Sequence, residues 1–208
     1  MPQGTPQTVP LVDYAFAALT LPGEPESGDR HIVVPTRTGT LVAVVDGLGH
    51  GAEAAEAAKV AVATLERYAG EPIISLMKRC HKEMQGTRGA VMSLAAFYAQ
   101  DETVTWLTVG NVEGILLRAD PQANPQRENI LMRSGVVGFR LPALRASVMT
   151  VSSGDVLIFA TDGIASGFDN DLTLNAPLQH IADSICTRHS KGTDDALVLV
   201  ARYLGDGS

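Results

Sequence analysis

Three aspartates stand at the ends of strongly apolar runs in three distant parts of the chain. Asp46 ends the run of residues 40–45, Asp162 follows the run 157–161, and Asp194 lies just before the run 196–200. Short runs rich in apolar and β-branched residues predict buried strands, so each carboxylate is expected at the end of a strand. Because neighbouring carboxylates repel one another, a site that collects them needs a cation for compensation. The fold must therefore be one that can bring separate strand ends together.

The first of these aspartates opens a glycine-rich turn between a predicted strand and a predicted helix. Its sequence is Asp46-Gly47-Leu48-Gly49-His50-Gly51. Glycines let backbone carbonyls approach a ligand closely, and hard cations such as Mg²⁺ and Mn²⁺ prefer carboxylate, carbonyl and water oxygens. The same aspartate could instead cap the following helix.

The glycine spacing also fits the G-x-G-x-x-G/A dinucleotide-binding pattern. That pattern should open a β-α-β unit with an acidic residue about 20 residues further on. Here a second helix and then antiparallel strands are predicted to follow. A dinucleotide-binding oxidoreductase is therefore retained only as a minor alternative.

Hydrophobic periodicity predicts an α+β fold of one domain over residues 1–208, with residues 1–10 flexible. Helices are predicted over 52–69, from Pro72 to about Met84, and over 178–188. Strands are predicted over residues 11–19, 31–36, 40–45, 90–99, 103–109, 114–118, 129–132, 147–151, 156–161 and 196–203. The turn at residues 153–155 predicts a hairpin between the strands on either side of it. Consecutive strands joined by short turns imply antiparallel sheets whose outer faces are covered by the helices.

Charge and composition exclude several classes of function. The net charge of −7 argues against a nucleic-acid-binding protein, which needs a basic surface. No apolar run reaches the roughly 20 residues of a membrane helix, and the N-terminus has no signal-peptide pattern, so a cytoplasmic protein is expected. An acidic protein that handles phosphate must recruit positive charge from elsewhere, and bound metal is the obvious source.

Four separated motifs together resemble the PPM-type metal-dependent serine/threonine phosphatases, in their bacterial SpoIIE-like branch. The motifs are Ser27-Gly28-Asp29, Asp46-Gly47-Leu48-Gly49-His50-Gly51, Thr161-Asp162-Gly163 and Asp194-Asp195. Three further segments resemble the small stressosome phosphatases of that branch: residues 87–91, 110–112 and 135–138. The resemblance implies a four-layer α-β-β-α fold, an antiparallel β-sandwich flanked by helices, with a two-metal site at one end.

The resemblance also implies roles for the motif residues. Asp46 would bridge two Mn²⁺ or Mg²⁺ ions, the Gly47 carbonyl would bind one of them, and Asp162 and Asp194 would complete the shell of the other. Asp195 remains an alternative to Asp194, and Asp29 would act in catalysis from outside the inner shell or through water. A water held between the metals would attack phosphoserine or phosphothreonine. The expected substrate is a phosphorylated STAS-domain regulatory protein of a stress-signalling complex.

Some positions depart from the pattern of the family or leave its function open. Leu48 stands where the eukaryotic branch has a histidine, and neither Arg30 nor Arg37 matches the phosphate-binding arginine securely, while His50 is not assigned as general acid. Partner contacts are expected from the loop around residues 139–141 or from residues 164–168, with core packing as the alternative for each apolar residue in them. A catalytically silent scaffold of the same fold is the main rival. Retention of all four acidic positions argues against it.

Overall fold

The computed structural model describes residues 10–170 and 172–205. The prediction that residues 1–10 are flexible lies, except for Pro10, outside this part of the chain. The helices in it are α1 (Ala52–Arg67), α2 (Ile73–Glu83) and α3 (Leu178–His189). The strands are β1 (Val12–Leu19), β2 (Asp29–Pro35), β3 (Gly39–Gly47), β4 (Ala90–Tyr98), β5 (Thr103–Val109), β6 (Glu113–Leu117), β7 (Arg127–Asn129), β8 (Ser147–Thr150), β9 (Val156–Ala160) and β10 (Ala196–Tyr203).

The strands form two five-stranded antiparallel sheets. The strand order is β2-β3-β4-β5-β8 in the first sheet and β1-β10-β9-β6-β7 in the second. Helices α1 and α2 pack on the outer face of the first sheet and α3 on the outer face of the second. The predicted α+β class and the α-β-β-α order of layers are therefore confirmed.

Residues 41–45 of strand β3 are all apolar, and both faces of the strand are buried there. Val42 and Val44 point into the core between the sheets, while Ala43 and Val45 point into the core beneath the helices. Successive side chains of a strand point to opposite faces, so Asp46 continues the row of Val42 and Val44. Its carboxylate is thereby directed toward the space between the sheets at the end of the sandwich.

One predicted hairpin is wrong. β8 pairs with β5 in the first sheet, whereas β9 pairs with β10 and β6 in the second, so residues 151–155 cross between sheets. The carboxylate of Asp155 accepts hydrogen bonds from the backbone N–H groups of Ser152 (3.0 Å) and Ala119 (2.9 Å) and so supports the crossing. A turn signal marks a local change of direction but does not state which strand will be the neighbour. The strand predicted at 129–132 lies slightly earlier, at Arg127–Asn129.

The sheet order also decides against a dinucleotide-binding unit. After the glycine turn the chain passes through α1 and α2 and returns as β4, which pairs antiparallel with β3. A dinucleotide-binding unit would require a parallel neighbour at this point. None of the described helices is long and apolar enough to cross a membrane.

Candidate active site

Antiparallel pairing brings the ends of four strands together at one end of the sandwich. In the first sheet Asp29, at the start of β2, lies directly opposite Asp46, near the end of β3. In the second sheet Thr161 and Asp162 follow β9, and the Asp194-Asp195 pair precedes β10. All the acidic residues that the sequence singled out therefore lie at the same end of the two sheets.

Thr161 joins the two sheets at this end. Its hydroxyl donates a hydrogen bond to Oδ2 of Asp29 (2.8 Å) and accepts one from the backbone N–H of Leu197 (2.8 Å). Both contacts are buried. The position of Asp29 is thus set by a residue of the opposite sheet as well as by its own strand.

Two motif glycines are required by close packing of backbone. A Cβ atom on Gly47 would lie 2.1 Å from the carbonyl oxygen of Ala54 in α1, and one on Gly163 would lie 1.9 Å from the carbonyl oxygen of Asp195. Either contact is far inside van der Waals distance. Any side chain at these positions would push α1 or the start of β10 away from the aspartates.

The two adjacent aspartates before β10 have different surroundings. The carboxylate of Asp195 is buried and accepts hydrogen bonds from the backbone N–H groups of Leu21 (2.8 Å) and Gly28 (2.7 Å). It thereby holds the loop before β2 against the second sheet. Asp194 is half-buried, and its Oδ1 accepts only the N–H of Asp195 (2.8 Å) among the hydrogen bonds described. The Asp194 carboxylate is therefore the more available of the two for a ligand.

Asp162 is exposed and has an amide neighbour that sequence reasoning missed. The side-chain NH₂ of Asn111 donates a hydrogen bond to Oδ2 of Asp162 (2.8 Å). Asn111 lies in the turn between β5 and β6, inside one of the segments that resemble the stressosome phosphatases. The only available signal was this position in a turn, where asparagine is common for conformational reasons alone.

Burial and mutual repulsion make the carboxylates hard to ionise. Burial raises the pKa of Asp46 to about 9, and the negative charges of Asp29, Asp162, Asp194 and Asp195 add to the shift. Burial likewise raises the pKa of Asp29 to about 7, although the hydrogen bond from Thr161 opposes the change. Both groups would become easier to ionise with a cation beside them.

The chemistry of the donor set fits a hard divalent cation. In the described part of the chain, no lysine, arginine or histidine side chain forms an ion pair with any of the five aspartates. The available ligands are carboxylate and carbonyl oxygens, which Mg²⁺ and Mn²⁺ prefer. The side chains are not drawn together into a cage, since no three of the described acidic, histidine or cysteine residues stand at metal-binding spacing.

Three basic residues near the motifs, His50, Arg30 and Arg37, were left without a role by the sequence. His50 is exposed and contacts Glu24 (Nδ1 to Oε1, 2.6 Å), and Arg30 pairs with Glu26. Arg37 lies in the β2–β3 turn, at the far end of the strands from Asp46. Arg37 is therefore remote from the aspartates, while the side chains of His50 and Arg30 are each paired with a glutamate.

Arg88 is a basic residue beside the site that the sequence reasoning did not assign. It pairs with Glu53 in the first turn of α1. Its guanidinium also lies over the glycine turn, since a Cβ atom on Gly49 would be 2.7 Å from Nη1. The neighbouring Gly89 accepts a hydrogen bond at its carbonyl from the N–H of Leu48 (3.0 Å), which ties this loop to the motif.

The two regions proposed for partner contact have opposite exposure. Ile164 and Phe168 are buried (4% and 1% exposed) in the core beneath α3. Phe139 is 82% exposed. The segment 164–168 therefore contributes its large apolar residues to packing, and only the loop around Phe139 presents one to solvent.

Comparison with known proteins places this arrangement in a family. The family model for Stage II sporulation protein E (SpoIIE) matches residues 36–204, which is most of the chain. The chain belongs to the SpoIIE family. The phosphoserine phosphatase RsbX of Bacillus subtilis (strain 168) is 26% identical over 183 residues, covering 86% of this chain and 89% of RsbX. The family resemblance inferred from the four motifs is confirmed.

Solved structures agree with this assignment to the SpoIIE family. A chain from a structural study of the bacterial stressosome is 27% identical, with a TM-score of 0.83 over 92% of this chain and 99% of that one. RsbX in complex with magnesium is 24% identical, with a TM-score of 0.82 over 92% of this chain and 95% of RsbX. This SpoIIE-family chain therefore has the fold of the PP2C-type (PPM) phosphatases, as the motifs predicted.

Proposed function

We propose that the protein hydrolyses phosphoserine or phosphothreonine on a STAS-domain regulatory protein, using water activated by two divalent cations. The observation that carries the proposal is the convergence of five aspartates with no ion-pairing basic side chain among the described residues. A protein has little reason to keep such a cluster unless a cation neutralises it. Because the chain belongs to a phosphatase family, we infer that such a cation takes part in phosphate hydrolysis.

The ligands proposed are the carboxylates of Asp46, Asp162 and Asp194 and the carbonyl of Gly47. Mn²⁺ or Mg²⁺ in this set would supply Lewis-acid stabilisation of the phosphoryl oxygens and an acidified water for in-line attack. Asp46 would hold the centre of the set, because its carboxylate lies between the sheets and beside Asp29. Choosing Asp194 over Asp195 follows from their hydrogen bonds, since both oxygens of Asp195 already accept backbone N–H groups.

Asp29 is proposed to act from outside the inner set. Its Oδ2 accepts a hydrogen bond from the hydroxyl of Thr161, so the other carboxylate oxygen is left to orient Asp46 or a water. The raised pKa of Asp29, about 7, also allows its carboxyl to hold a proton near neutral pH when no cation is close.

The substrate class rests on the relatives. RsbX is named a phosphoserine phosphatase, and the stressosome chain is of nearly the same size as this one. A serine-phosphorylated STAS-domain protein of a stress-signalling complex, acted on in the cytoplasm, is the proposal that follows. A catalytically silent scaffold of the same fold is the alternative.

Metal-dependent hydrolysis of p-nitrophenyl phosphate tests the proposal directly. The purified chain should release p-nitrophenol with Mn²⁺ or Mg²⁺, should lose this activity with EDTA, and should regain it when metal is restored. The exposed Asp101, outside the motifs, provides a matched control as Asp101→Asn, which should remain fully active. A folded wild-type protein inactive with either metal on both this substrate and a phosphoserine protein would favour the silent scaffold.

A further inference from the structure

The segment of residues 129–154 has a charge opposite to that of the rest of the chain. It contains Arg133, Arg140 and Arg145 and no acidic residue, in a protein of net charge −7. Four of its large apolar side chains are also strongly exposed: Leu131 (73%), Met132 (50%), Phe139 (82%) and Val148 (66%). We call residues 131–140 the rim segment. A basic surface with large exposed apolar residues is typical of an interaction site.

The rim segment is held firmly, so its exposed side chains are presented in defined positions. Val136 and Arg140 close a tight turn by exchanging two backbone hydrogen bonds (2.9 and 2.8 Å), which directs Phe139 outward at its tip. Val137, in the same turn, is fully buried in the core under α1 and α2, and Leu141 packs against that core. The exposure of Phe139 therefore does not come from a loosely attached loop.

Both attachments of the rim segment lead to the candidate active site. At one end the carbonyl of Arg133 accepts the N–H of Gly110 (2.8 Å), next to the Asn111 that contacts Asp162. At the other end Val137 exchanges two hydrogen bonds with Ala90 (2.8 and 3.0 Å), and Ala90 lies opposite Gly47 in the β3–β4 register. The rim segment thus runs along the border of the aspartate cluster.

We propose that the rim segment is the docking surface for the folded phosphoprotein substrate, with Phe139 as its apolar anchor and Arg140 as a contact for acidic groups. The proposal rests on the proposed phosphatase function. Charge complementarity selects this occupant, because phosphate and carboxylate groups near a phosphorylation site match planar guanidinium groups. Aromatic residues and arginine are enriched at protein interfaces, where a few buried side chains carry most of the binding energy.

The test compares kcat/KM on three substrates for the wild type and two variants. The substrates are p-nitrophenyl phosphate, a phosphoserine peptide, and the folded STAS-domain phosphoprotein from which the peptide sequence is taken. The wild type should cleave the folded protein at least about tenfold more efficiently than the peptide. Phe139→Ala should lose about tenfold on the folded protein and less than about twofold on p-nitrophenyl phosphate. Arg140→Ala should lose about threefold on the folded protein at low salt, and added salt should reduce that loss.

Matched controls come from the other surfaces of the molecule. Phe16→Ala removes an exposed phenylalanine of the edge strand β1 (43% exposed), and Arg37→Ala removes an exposed arginine from the opposite end of the sandwich. Both should retain wild-type kcat/KM on all three substrates. Melting curves should show all four variants folded, since each side chain is exposed at least in part.

Several outcomes would overturn the docking proposal. The first is equal kcat/KM of the wild type on the peptide and on the folded protein. The others are an unchanged kcat/KM of Phe139→Ala on the folded protein, or an equal loss of kcat/KM by Phe139→Ala on all three substrates. A wild-type dimer in sedimentation that Phe139→Ala dissociates would assign the surface to a second copy of the chain instead. Failure of the wild type on p-nitrophenyl phosphate and on the phosphoprotein would reject the phosphatase function, and the docking proposal with it, before any variant is compared.

Discussion

Buried acidic residues occur at both ends of β9, and the protein treats the two groups differently. Before β9, Asp155 is 2% exposed and bonds to Nη1 of Arg118 (2.9 Å), which also pairs with Glu128 and donates to the carbonyl of Thr150 (2.6 Å). After β9, no basic side chain in the described part of the chain pairs with the carboxylates of the candidate site, and Lys191 donates only to the backbone carbonyl of Asp162 (2.5 Å).

This contrast separates a structural cluster of charges from a functional one. Removing carboxylates from water is costly unless an opposite charge and hydrogen bonds replace the water. At one end the chain supplies the opposite charge itself, through Arg118, whose side chain is 12% exposed. At the other end burial, together with repulsion among the aspartates, raises the pKa of Asp46 and Asp29, and a cation bound beside them would favour their ionised form.

The largest expected effect is the loss of activity in Asp46→Asn. Removing the charge at the centre of the proposed ligand set should lower kcat/KM on p-nitrophenyl phosphate by at least about 1000-fold, or about 4 kcal/mol of transition-state stabilisation. The fold should be intact, because the amide has the same shape and removes a repelled charge. Steady-state kinetics at saturating Mn²⁺ measure the loss of kcat/KM, and circular dichroism checks that the variant is folded. Near-normal turnover would remove Asp46 from the site.

The opposite result is expected for the cluster before β9. Arg118→Met should leave Asp155 and Glu128 without their cation and lower the free energy of unfolding by about 3 kcal/mol. Activity of the folded variant per molecule should stay within about twofold of wild type. Urea denaturation measures the loss of stability, and kinetics at 20 °C measure the activity. If Arg118→Met lost activity while remaining stable, the two clusters would not be functionally separate.

Added metal should stabilise the folded chain, as an internal cation does at the other cluster. A cation that binds only the folded state contributes about 2.7 kcal/mol at a hundredfold excess over Kd, which is about 5–10 °C in Tm for a chain of this size. Thermal melts with and without millimolar Mn²⁺ measure the gain. Asp46→Asn should show little or no increase in Tm with metal. A wild-type Tm that is unchanged by Mn²⁺ and Mg²⁺ would contradict the site.

The thermal stability of the chain, with and without metal, should depend on pH in a defined direction. Asp46 and Asp29 have folded-state pKa values of about 9 and about 7, above the ordinary value of 3.8. The metal-free folded state therefore binds more protons than the unfolded state, and its stability should fall as pH rises from about 4 through 7 to 9. Since protons and metal compete for these carboxylates, the gain from Mn²⁺ should be larger at pH 8 than at pH 6. A gain that is larger at pH 6 would show that other groups bind the metal.

The smallest expected effects distinguish the two adjacent aspartates. Asp195→Ala leaves the N–H groups of Leu21 and Gly28 without their acceptor and should cost about 2 kcal/mol of unfolding free energy. Asp194→Ala should change stability by less than about 0.5 kcal/mol, yet weaken metal binding about 10- to 100-fold. Calorimetric metal titration beside urea denaturation separates the two. Unchanged metal affinity in Asp194→Ala would move the ligand role to Asp195.

Much of the fold was predictable because it depends on local periodicity. The apolar run before Asp46 predicted a buried strand, and hydrophobic periodicity predicted a helix from Pro72 to about Met84, where α2 (Ile73–Glu83) lies. Motif order then predicted the family, and with it the layers of the fold. Which strands pair with one another was harder to predict from the sequence, and the hairpin predicted between residues 147–151 and 156–161 was wrong.

The sequence by itself determined which residues could form the site: aspartates at strand ends, with glycines where backbone must approach closely. Only the tertiary structure decided how they differ. Asp195 is distinguished from Asp194 by backbone N–H groups of residues 174 and 167 positions away, and Asn111 and Arg88 reach the site from separate turns. Periodicity specifies which face of an element is buried, but a hydrogen bond between distant segments depends on how all the elements pack. The partners of each carboxylate are therefore decided by the assembled sandwich.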